Sequence, residues 1–533
     1  MKRFGAFVKE NYIFSSPYLI AIYTVLFLYA NNLRQYTLSV LPIPIALALL
    51  FAVFVSAATY LVFKKKEIST VVASTIVFVV LSYSRLFSVL IEQDLRFGGI
   101  SIPHNATSVI SIFVIVLLVS CVSRKYKKRL ILLNKLLTYL FLGLVLFSSV
   151  TIVNFELRAK RGWSGINHSP IVKTDIKKAS SSDPDIYYFI LDRYAGQKSL
   201  SEEYNFDNSS LLSYLESKGF YVASSSTTNY PKTFLSLASS LNMEYMDFLT
   251  DKTNGGASGD ESIVTPYIRN SKVLEFLKKR GYSVINVGSW WEPTRINPSA
   301  DVNIFLPKKG YFNSDEFTTG YLNITAVSPI FQYIFHDPMD VSLDPQNNIH
   351  RSTALYEFKA FDKIPQMKGP KFVFTHILLP HDPFVFDKNC NPISEKIVNT
   401  MHHQENYKNQ ILCTNSMIKD TIGKVLKNSK NPPVIILQAD EGPFPMNVPL
   451  PQHQSWGTAE TASLREKFPI LNAYYFPGKK TTSLYQTITP VNTFRILFNE
   501  YFHEDYPLLE DRNYIFQDEN NYYKFIDVTN KIN

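Results

Sequence analysis

The chain has 533 residues, a formal net charge of +9 at pH 7, 46% hydrophobic residues and 14% aromatic residues. This length exceeds that of one ordinary domain. The basic residues cluster beside long apolar stretches instead of forming a groove-facing stripe, which argues against a nucleic-acid partner.

Five apolar stretches occupy the first 153 residues, and most are close to the roughly 20 residues that a helix needs to cross a bilayer. They cover residues 11–30, 36–63, 68–91, 108–122 and 136–153, and the fourth is short. The first stretch is too long for a cleaved signal, and further stretches follow it. We therefore predict an α-helical membrane domain of five spans over residues 1–154.

Basic residues predict the orientation of this domain, because loops rich in Lys and Arg stay in the cytoplasm. They precede the first stretch, follow the second and separate the fourth from the fifth: Lys2, Arg3, Lys9, Lys64, Lys65, Lys66, Arg124, Lys125, Lys127, Lys128 and Arg129. The alternate loops hold only Arg34 and Arg96. We predict a multi-pass protein of the cytoplasmic membrane with its N-terminus inside and its C-terminal part on the extracytoplasmic face.

Residues 155–182 are polar and basic, which predicts a juxtamembrane linker. Residues 183–533 are enough for one large α/β domain with a buried core. Within this domain, residues 300–348 have an irregular pattern that indicates an insertion.

An apolar run that ends in an acid opens the soluble domain. Residues 184–194 read PDIYYFILDRY, so that Ile186 to Leu191 predict a strand buried on both faces and Asp192 follows it directly. In open α/β sheets the ligand crevice lies at the carboxyl ends of the strands, where an acid can bind a metal or substrate. A loop aspartate that caps the next turn is the alternative.

Residues 227–243, TTNYPKTFLSLASSLNM, have the pattern of a helix that begins in a loop. Asn229 can cap this helix and Pro231 suits its first turn. Thr233 would then lie among free backbone N–H groups that favour an anion. A threonine that merely starts a helix is the alternative.

Two histidines flank the apolar run in residues 372–384, FVFTHILLPHDPF, which predicts a third strand. His376 lies inside this strand, and we predict a packed, hydrogen-bonded core residue. His381 follows Pro380 at the strand end and is the better candidate for a functional site.

A second strand that ends in acids follows in residues 432–443, PPVIILQADEGP. Asp440 and Glu441 would meet Asp192 at one sheet edge. Three converging carboxylates repel one another unless a cation neutralises them, so we predict a metal site there.

These features together resemble the alkaline phosphatase superfamily, and specifically its membrane-anchored, sulfatase-like transferases such as lipoteichoic acid synthases and phosphoethanolamine transferases. The resemblance covers the five spans, the strand-end Asp192, Thr233 some forty residues later, HDPF at 381–384 and the late Asp440-Glu441-Gly442. It implies an extracytoplasmic α/β domain of the alkaline-phosphatase-like (sulfatase-like) fold over residues 183–533.

The resemblance also implies roles for individual residues. Asp192, Thr233 and Asp440 would hold a divalent metal, Thr233 would attack phosphorus to give a phospho-enzyme, and His381 would hold the phosphoryl group or the leaving oxygen. Residues that would contact the substrate are Trp291 and Arg295, which resemble the head-group residues of lipoteichoic acid synthases, and His453.

Glu441 departs from the family, which usually has histidine after the late aspartate. As a metal ligand, Glu441 would add a hard oxygen donor and favour manganese or magnesium, with zinc as a further option. Alternatively, Glu441 turns outward and the protein binds metal poorly.

Two cysteines lie in the predicted extracytoplasmic part. Cys390 and Cys413 could form a disulfide in an oxidising compartment or remain unrelated thiols. Cys390 opens CNPIS, which lacks the arginine of the C-x-P-x-R motif that type I sulfatases convert to formylglycine, so we exclude that modification.

Three functions follow from the resemblance. The first is transfer of a phosphoglycerol or phosphoethanolamine head group from a membrane phospholipid to an envelope glycan or glycolipid. The second is hydrolysis by a phosphodiesterase or sulfatase of the same fold, and the third is a catalytically inactive envelope binding or assembly protein. The fold alone does not separate them.

Overall fold

In a computed structural model of the protein, the described residues are 12–33, 38–86, 95–97, 100–102, 104–126, 129–164, 178, 180, 183–253, 255–306, 316–327, 345–445, 455–479 and 481–532. The chain divides into two compact units. One contains Met1–Arg161 and Lys308–Leu343, and the other contains Gly162–Pro307 and Asp344–Asn533.

Long helices dominate the first unit: α1 (Ser16–Ala30), α2 (Pro42–Phe63), α3 (Lys66–Leu81), α4 (His104–Lys125) and α5 (Leu130–Ser164). Each predicted apolar stretch overlaps one of them. Among the described residues, Leu38–Phe63 and Leu130–Phe155 are long and apolar enough to cross a membrane, while α1 is apolar but shorter. The count of five spans therefore stays a prediction. Between α3 and α4, β1 (Leu95–Phe97) pairs antiparallel with β2 (Ile100–Ile102).

The second unit is organised around a mixed sheet. The strands of this sheet are β3 (Ile186–Leu191), β4 (Tyr221–Val222), β5 (Ser283–Gly288), β6 (Val302–Phe305), β7 (Lys371–Ile377), β8 (Val434–Ala439) and β9 (Asn472–Tyr475). A separate antiparallel pair is formed by β10 (Tyr514–Phe516) and β11 (Phe525–Asp527). The sheet has the order β4-β9-β8-β3-β7-β5-β6. The strands from β8 to β6 run parallel, whereas β9 and β4 pair antiparallel.

Helices of the second unit cover both faces of this sheet, and one further helix, α13, belongs to the first unit. In chain order they are α6 (Gln197–Glu202), α7 (Ser209–Ser217), α8 (Thr233–Asn242), α9 (Leu249–Lys252), α10 (Thr265–Arg269), α11 (Lys272–Arg280), α12 (Glu292–Arg295), α13 (Glu316–Asn323), α14 (Pro345–Ala360), α15 (Glu395–Val398), α16 (His403–Asn428), α17 (Thr461–Lys467), α18 (Pro490–Phe502) and α19 (Thr529–Ile532).

Strand β3 lies at the centre, and all six of its residues are buried, as the apolar run predicts. Alternate side chains join two different hydrophobic clusters, one with Tyr188 and α8 and the other with Tyr187 and α16. Helices on both faces explain why the strand is apolar throughout. The predicted α/β architecture is confirmed.

Residues of the predicted insertion contact the N-terminal helices inside the first unit. The ring of Phe317 packs edge-on against Tyr29 at 5.8 Å, and the Tyr321 hydroxyl lies 2.9 Å from Thr24 Oγ1. The Ala326 backbone N–H donates a hydrogen bond to the Val80 carbonyl at 2.9 Å. This part of the insertion is therefore packed against α1 and α3.

Candidate metal centre

Three neighbouring parallel strands bring the candidate metal ligands together. Strand register places His376 of β7 and Gln438 of β8 on either side of Ile190 in β3. Because side chains alternate between the faces of a strand, Asp192 and Asp440, each two residues further on, share a face with His376. Asp192, His376 and Asp440 thus converge at the carboxyl edge of the sheet.

The geometry of this group fits a cation. One ligand atom from each of Asp192, His376 and Asp440 can be chosen so that all lie within 4.8 Å of one another, and all three residues are buried. Asp192 Oδ2 lies 3.4 Å from His376 Nε2. Among the described residues, Asp192 Oδ1, Asp440 Oδ2 and His376 Nε2 find no hydrogen-bond partner of standard geometry. Buried polar atoms of this kind are costly unless a ligand satisfies them.

The charges of the two acids oppose each other. Burial, and then the nearby carboxylates of Asp192 and Glu441, raise the pKa of Asp440 well above its usual range. Burial also raises the pKa of Asp192, but the charges of His381, His376 and Arg193 outweigh burial and lower it below its usual range. Because the pKa of Asp440 is raised in this arrangement, cation binding would favour the ionised form of that acid.

His376 is held in place from behind. Its Nδ1 lies 3.1 Å from Thr294 Oγ1 in α12, and Trp291 packs edge-on against its ring at 5.6 Å. Contacts on Nδ1 leave Nε2 to face the acids, as in histidines that ligate metals. The prediction that His376 is a packed, buried residue is confirmed. The prediction does not include the position of its Nε2 beside Asp192 and Asp440.

Thr233 is the first residue of α8 and is half-buried. Its hydroxyl contacts the Asp440 carboxyl and favours the ionised form of that acid. The helix begins later than the sequence pattern predicts. Asn229 does not cap it, because the Asn229 side chain accepts a hydrogen bond from the Val491 backbone N–H and donates one to the Arg512 carbonyl.

Glu441 has other partners. Its Oε1 lies 3.3 Å from Arg193 Nε and 3.0 Å from Lys467 Nζ. The side chain is 1% exposed, so the expectation that it turns outward is wrong. Burial lowers the pKa of Lys467 to about 8. The prediction that Glu441 binds the metal stays a prediction.

Arg193, directly after Asp192, connects several of these groups. Its backbone N–H donates to Asp440 Oδ1 at 3.0 Å, and its guanidinium Nη1 lies 2.8 Å from Asp382 Oδ1. The guanidinium also stacks 4.0 Å from the ring centroid of Phe444. The backbone adopts φ +59°, the left-handed region that a residue with a side chain rarely occupies.

The other predicted site residues differ in their positions. His381 is partly exposed beside Asp382, with 3.4 Å from Nδ1 to Oδ1, and its charge acts on Asp192. Trp291 is half-buried and its ring packs against His376. The described hydrogen bonds of Arg295 are made by its backbone, since its N–H donates to the Trp291 carbonyl and its carbonyl accepts from Asn286. His453 lies outside the described residues.

His350 is a buried histidine that the sequence pattern does not single out. Its Nδ1 accepts a hydrogen bond of 2.8 Å from Trp290 Nε1. Burial, and then the charge of His381, lower the pKa of His350 to about 3. Trp290 and Trp291 thus each contact one histidine, and the paired tryptophans in the sequence were the available signal.

A disulfide joins Cys390 to Cys413. It connects the segment after Phe386 to α16. Of the two possibilities open at the level of sequence, the structure has the paired one, and Cys390 is not available for conversion to formylglycine.

The chain was compared with protein families and with curated proteins. Residues 200–531 match the protein family described as Sulfatase. A search of curated proteins found no significant match.

Several solved structures are similar to the chain. The C-terminal periplasmic domain of EcEptC from Escherichia coli has 12% identity and a TM-score of 0.42, covering 67% of this chain and 97% of that one. The lipooligosaccharide phosphoethanolamine transferase A (EptA) of Neisseria meningitidis, an integral membrane protein, has 12% identity and a TM-score of 0.34, covering 87% and 88%. A putative sulfatase from Bacteroides thetaiotaomicron has 14% identity and a TM-score of 0.36, covering 64% and 75%.

Proposed function

Because the chain belongs to the sulfatase family, we propose that it is a membrane-anchored, metal-dependent enzyme acting on a phosphate ester. Its reaction is transfer of a phosphoglycerol or phosphoethanolamine head group from a phospholipid to an envelope glycan or glycolipid. The supporting observation is the buried group of Asp192, His376 and Asp440 with the Thr233 hydroxyl against Asp440.

Asp192, His376 and Asp440 would hold the divalent cation, with Thr233 beside it. Two carboxylates and an imidazole suit manganese or zinc better than magnesium, which prefers oxygen ligands. When bound, the cation would lower the pKa of the Thr233 hydroxyl and offset charge on the phosphoryl oxygens.

Thr233 is the nucleophile in this proposal. Its ionised Oγ1 forms a bond to phosphorus, the bond from phosphorus to the lipid oxygen breaks, and His381 gives that oxygen a proton. An acceptor hydroxyl then gives a proton to His381 and takes the head group from Thr233. The start of α8 favours the negative charge that this chemistry gathers there.

The membrane arrangement is part of the proposal. We place α1–α4 and residues 130–154 of α5 across the cytoplasmic membrane, residues 155–182 as linker and residues 183–533 on the extracytoplasmic face. This position would keep the site near a lipid donor and an envelope acceptor.

A hydrolase is the second candidate, and the family match favours it. Water would then replace the glycan in the second step. Thr233 as nucleophile and Cys390 within a disulfide favour a phosphodiesterase over a sulfatase that uses formylglycine. The inactive alternative leaves the buried polar atoms of Asp192, His376 and Asp440 without a function.

Head-group-labelled lipids distinguish these functions. Membranes containing the parent protein or Thr233→Ala are incubated with labelled phosphatidylglycerol or phosphatidylethanolamine, and label is followed in glycans and in water-soluble products. We expect label in glycans from the parent only. Label only in water-soluble products would support the hydrolase, and no release by the parent would contradict both enzymatic proposals.

A further inference from the structure

Four charged residues beside the metal group take no part in the chemistry above. Arg193 lies 2.8 Å from Asp382 and 3.3 Å from Glu441, and Lys467 lies 3.0 Å from Glu441. Arg193 also follows Asp192 directly and binds Asp440 through its backbone N–H. The cluster is therefore continuous with the metal group.

The two carboxylates that contact Arg193 are held very differently. Glu441 is 1% exposed and is shared by two cations, so its pairing is fixed by burial. Asp382 is 52% exposed and its only described cationic partners besides Arg193 are histidines. Water and salt compete for the exposed carboxylate of Asp382, which weakens its interaction with Arg193. The contact between Arg193 and Asp382 is the one that another anion can replace.

Several contacts fix the guanidinium of Arg193 in a position where one anion can replace another. Glu441 fixes Nε, the ring of Phe444 lies 4.0 Å from the guanidinium carbon, and the side chain is only 13% exposed. Its φ of +59° is a strained conformation that persists only where surrounding contacts enforce it, as happens at binding sites. A guanidinium fixed in this way presents a planar fork that matches two oxygens of a phosphate.

We propose that Arg193 binds the anionic ester group of the substrate, a phosphate or similar tetrahedral oxyanion, and that Asp382 occupies this position until the anion arrives. The inference deepens the proposed function and rests on it for the identity of the ester. Glu441 then serves to orient Arg193 and Lys467. Once Asp382 is displaced, Arg193 and Lys467 share the single carboxylate of Glu441, and a divalent cation bound by Asp192 and Asp440 would offset the charges of those two acids.

Anion binding tests this assignment without turnover. Inorganic phosphate and sulfate are titrated calorimetrically into the full chain in detergent, with and without manganese, and a short-chain phosphatidylethanolamine in micelles supplies the lipid arm. We expect Arg193→Gln to weaken phosphate binding about tenfold or more, since charge-assisted hydrogen bonds are lost. Asp382→Asn should bind phosphate more tightly than the parent, because the competing carboxylate is gone.

Arg280→Gln is the matched control. Arg280 is also buried, at 7% exposure, pairs with one carboxylate, Asp183, at 3.4 Å and stacks 4.2 Å from Phe502. Its loss should leave phosphate affinity unchanged. Equal affinity of the parent and Arg193→Gln, or weaker binding by Asp382→Asn, would overturn the inference.

If Arg193→Gln fails to fold, Asp382→Asn still tests the inference, because Asp382 is exposed and its substitution leaves the core unchanged. Arg193-dependent phosphate binding without label transfer would contradict the proposed function and leave this inference standing. If the parent transfers label but phosphate affinity is the same in the parent, Arg193→Gln and Asp382→Asn, this inference alone is contradicted. Tighter binding of the lipid than of inorganic phosphate, lost in Arg193→Gln, would identify the lipid head group as the source of the anion.

Discussion

Single residues at the sheet edge show how burial sets the chemistry of ionisable groups. Asp192 and Asp440 are both buried, yet histidines and Arg193 lower the pKa of Asp192 while burial and neighbouring carboxylates raise that of Asp440. Two neighbouring acids whose pKa values shift in opposite directions indicate a functional site. A cation shared between them removes the conflict.

His350 leads to a prediction on pH. Its pKa is about 3 in the folded protein, below the ordinary value of 6.5. Between these values the unfolded chain binds a proton that the folded chain does not, so this residue lowers stability as pH falls through that window. We expect His350→Gln, which can still accept from Trp290, to lose less stability than the parent between pH 6.5 and pH 3.

Thermal unfolding of the metal-free full chain in detergent across this range measures the difference. His402→Gln, on an exposed position, is the control. An identical pH dependence in the parent and His350→Gln would contradict the buried, neutral histidine.

At the scale of elements, α12 and the tryptophans before it position both histidines. Gly288 ends β5, and a Cβ there would clash with the Arg295 carbonyl oxygen at the end of α12. Gly288→Ala should displace α12, and with it Thr294 and Trp291, which contact His376. We expect a loss of about 1–3 kcal/mol in stability from the clash together with weaker metal binding.

Gly320→Ala, which has open space for the added methyl group, is the control for that substitution. Calorimetric metal titration and thermal unfolding of both variants supply the two readouts. Full metal affinity in Gly288→Ala would show that α12 does not position His376.

The disulfide is the second element-scale feature. It ties the segment that follows His381 and Phe386 to α16, closing a loop with a sequence separation of 23. Replacing both Cys390 and Cys413 with alanine should lower the free energy of unfolding by about 2–4 kcal/mol. Cys121→Ala, at an exposed free cysteine, should have little effect, and equal denaturant midpoints for all three proteins would contradict this.

The sequence could predict elements better than their relative placement. The runs before Asp192 and Asp440 are apolar enough to identify β3 and β8, and both strands match their predicted positions. The sequence predicts His376 as a core residue and not as a metal ligand, because its position beside Asp192 depends on the register of β7 with β3, which arises from tertiary pairing. The contacts of Glu441 depend on tertiary packing in the same way, since Arg193 and Lys467 are distant from it in sequence.

At the scale of the whole molecule, the described part of the insertion packs against the N-terminal helices, although the chain reaches it from the sheet-containing unit. The chain therefore passes between the two units more than once. Such connections limit how independently the units can fold.

The proposed membrane topology rests on the arrangement of basic residues. In a Cys121→Ala background, Lys65→Cys should react with a membrane-impermeant maleimide only after permeabilisation, because its loop is rich in lysine. Ser225→Cys, exposed in the second unit, should react in intact cells. Labelling of Lys65→Cys in intact cells would reverse the proposed orientation.

The most direct test of the account is metal binding by the full chain. Manganese and zinc are titrated into the parent, His376→Ala and Glu441→Gln, with proton release recorded in parallel. In His376→Ala, the loss of a ligand should lower the affinity for both metals by about tenfold or more. Glu441→Gln should change this affinity much less, because the Glu441 carboxylate pairs with Arg193 and Lys467. A parent protein that binds neither metal, or a larger loss in Glu441→Gln than in His376→Ala, would contradict the metal centre of Asp192, His376 and Asp440.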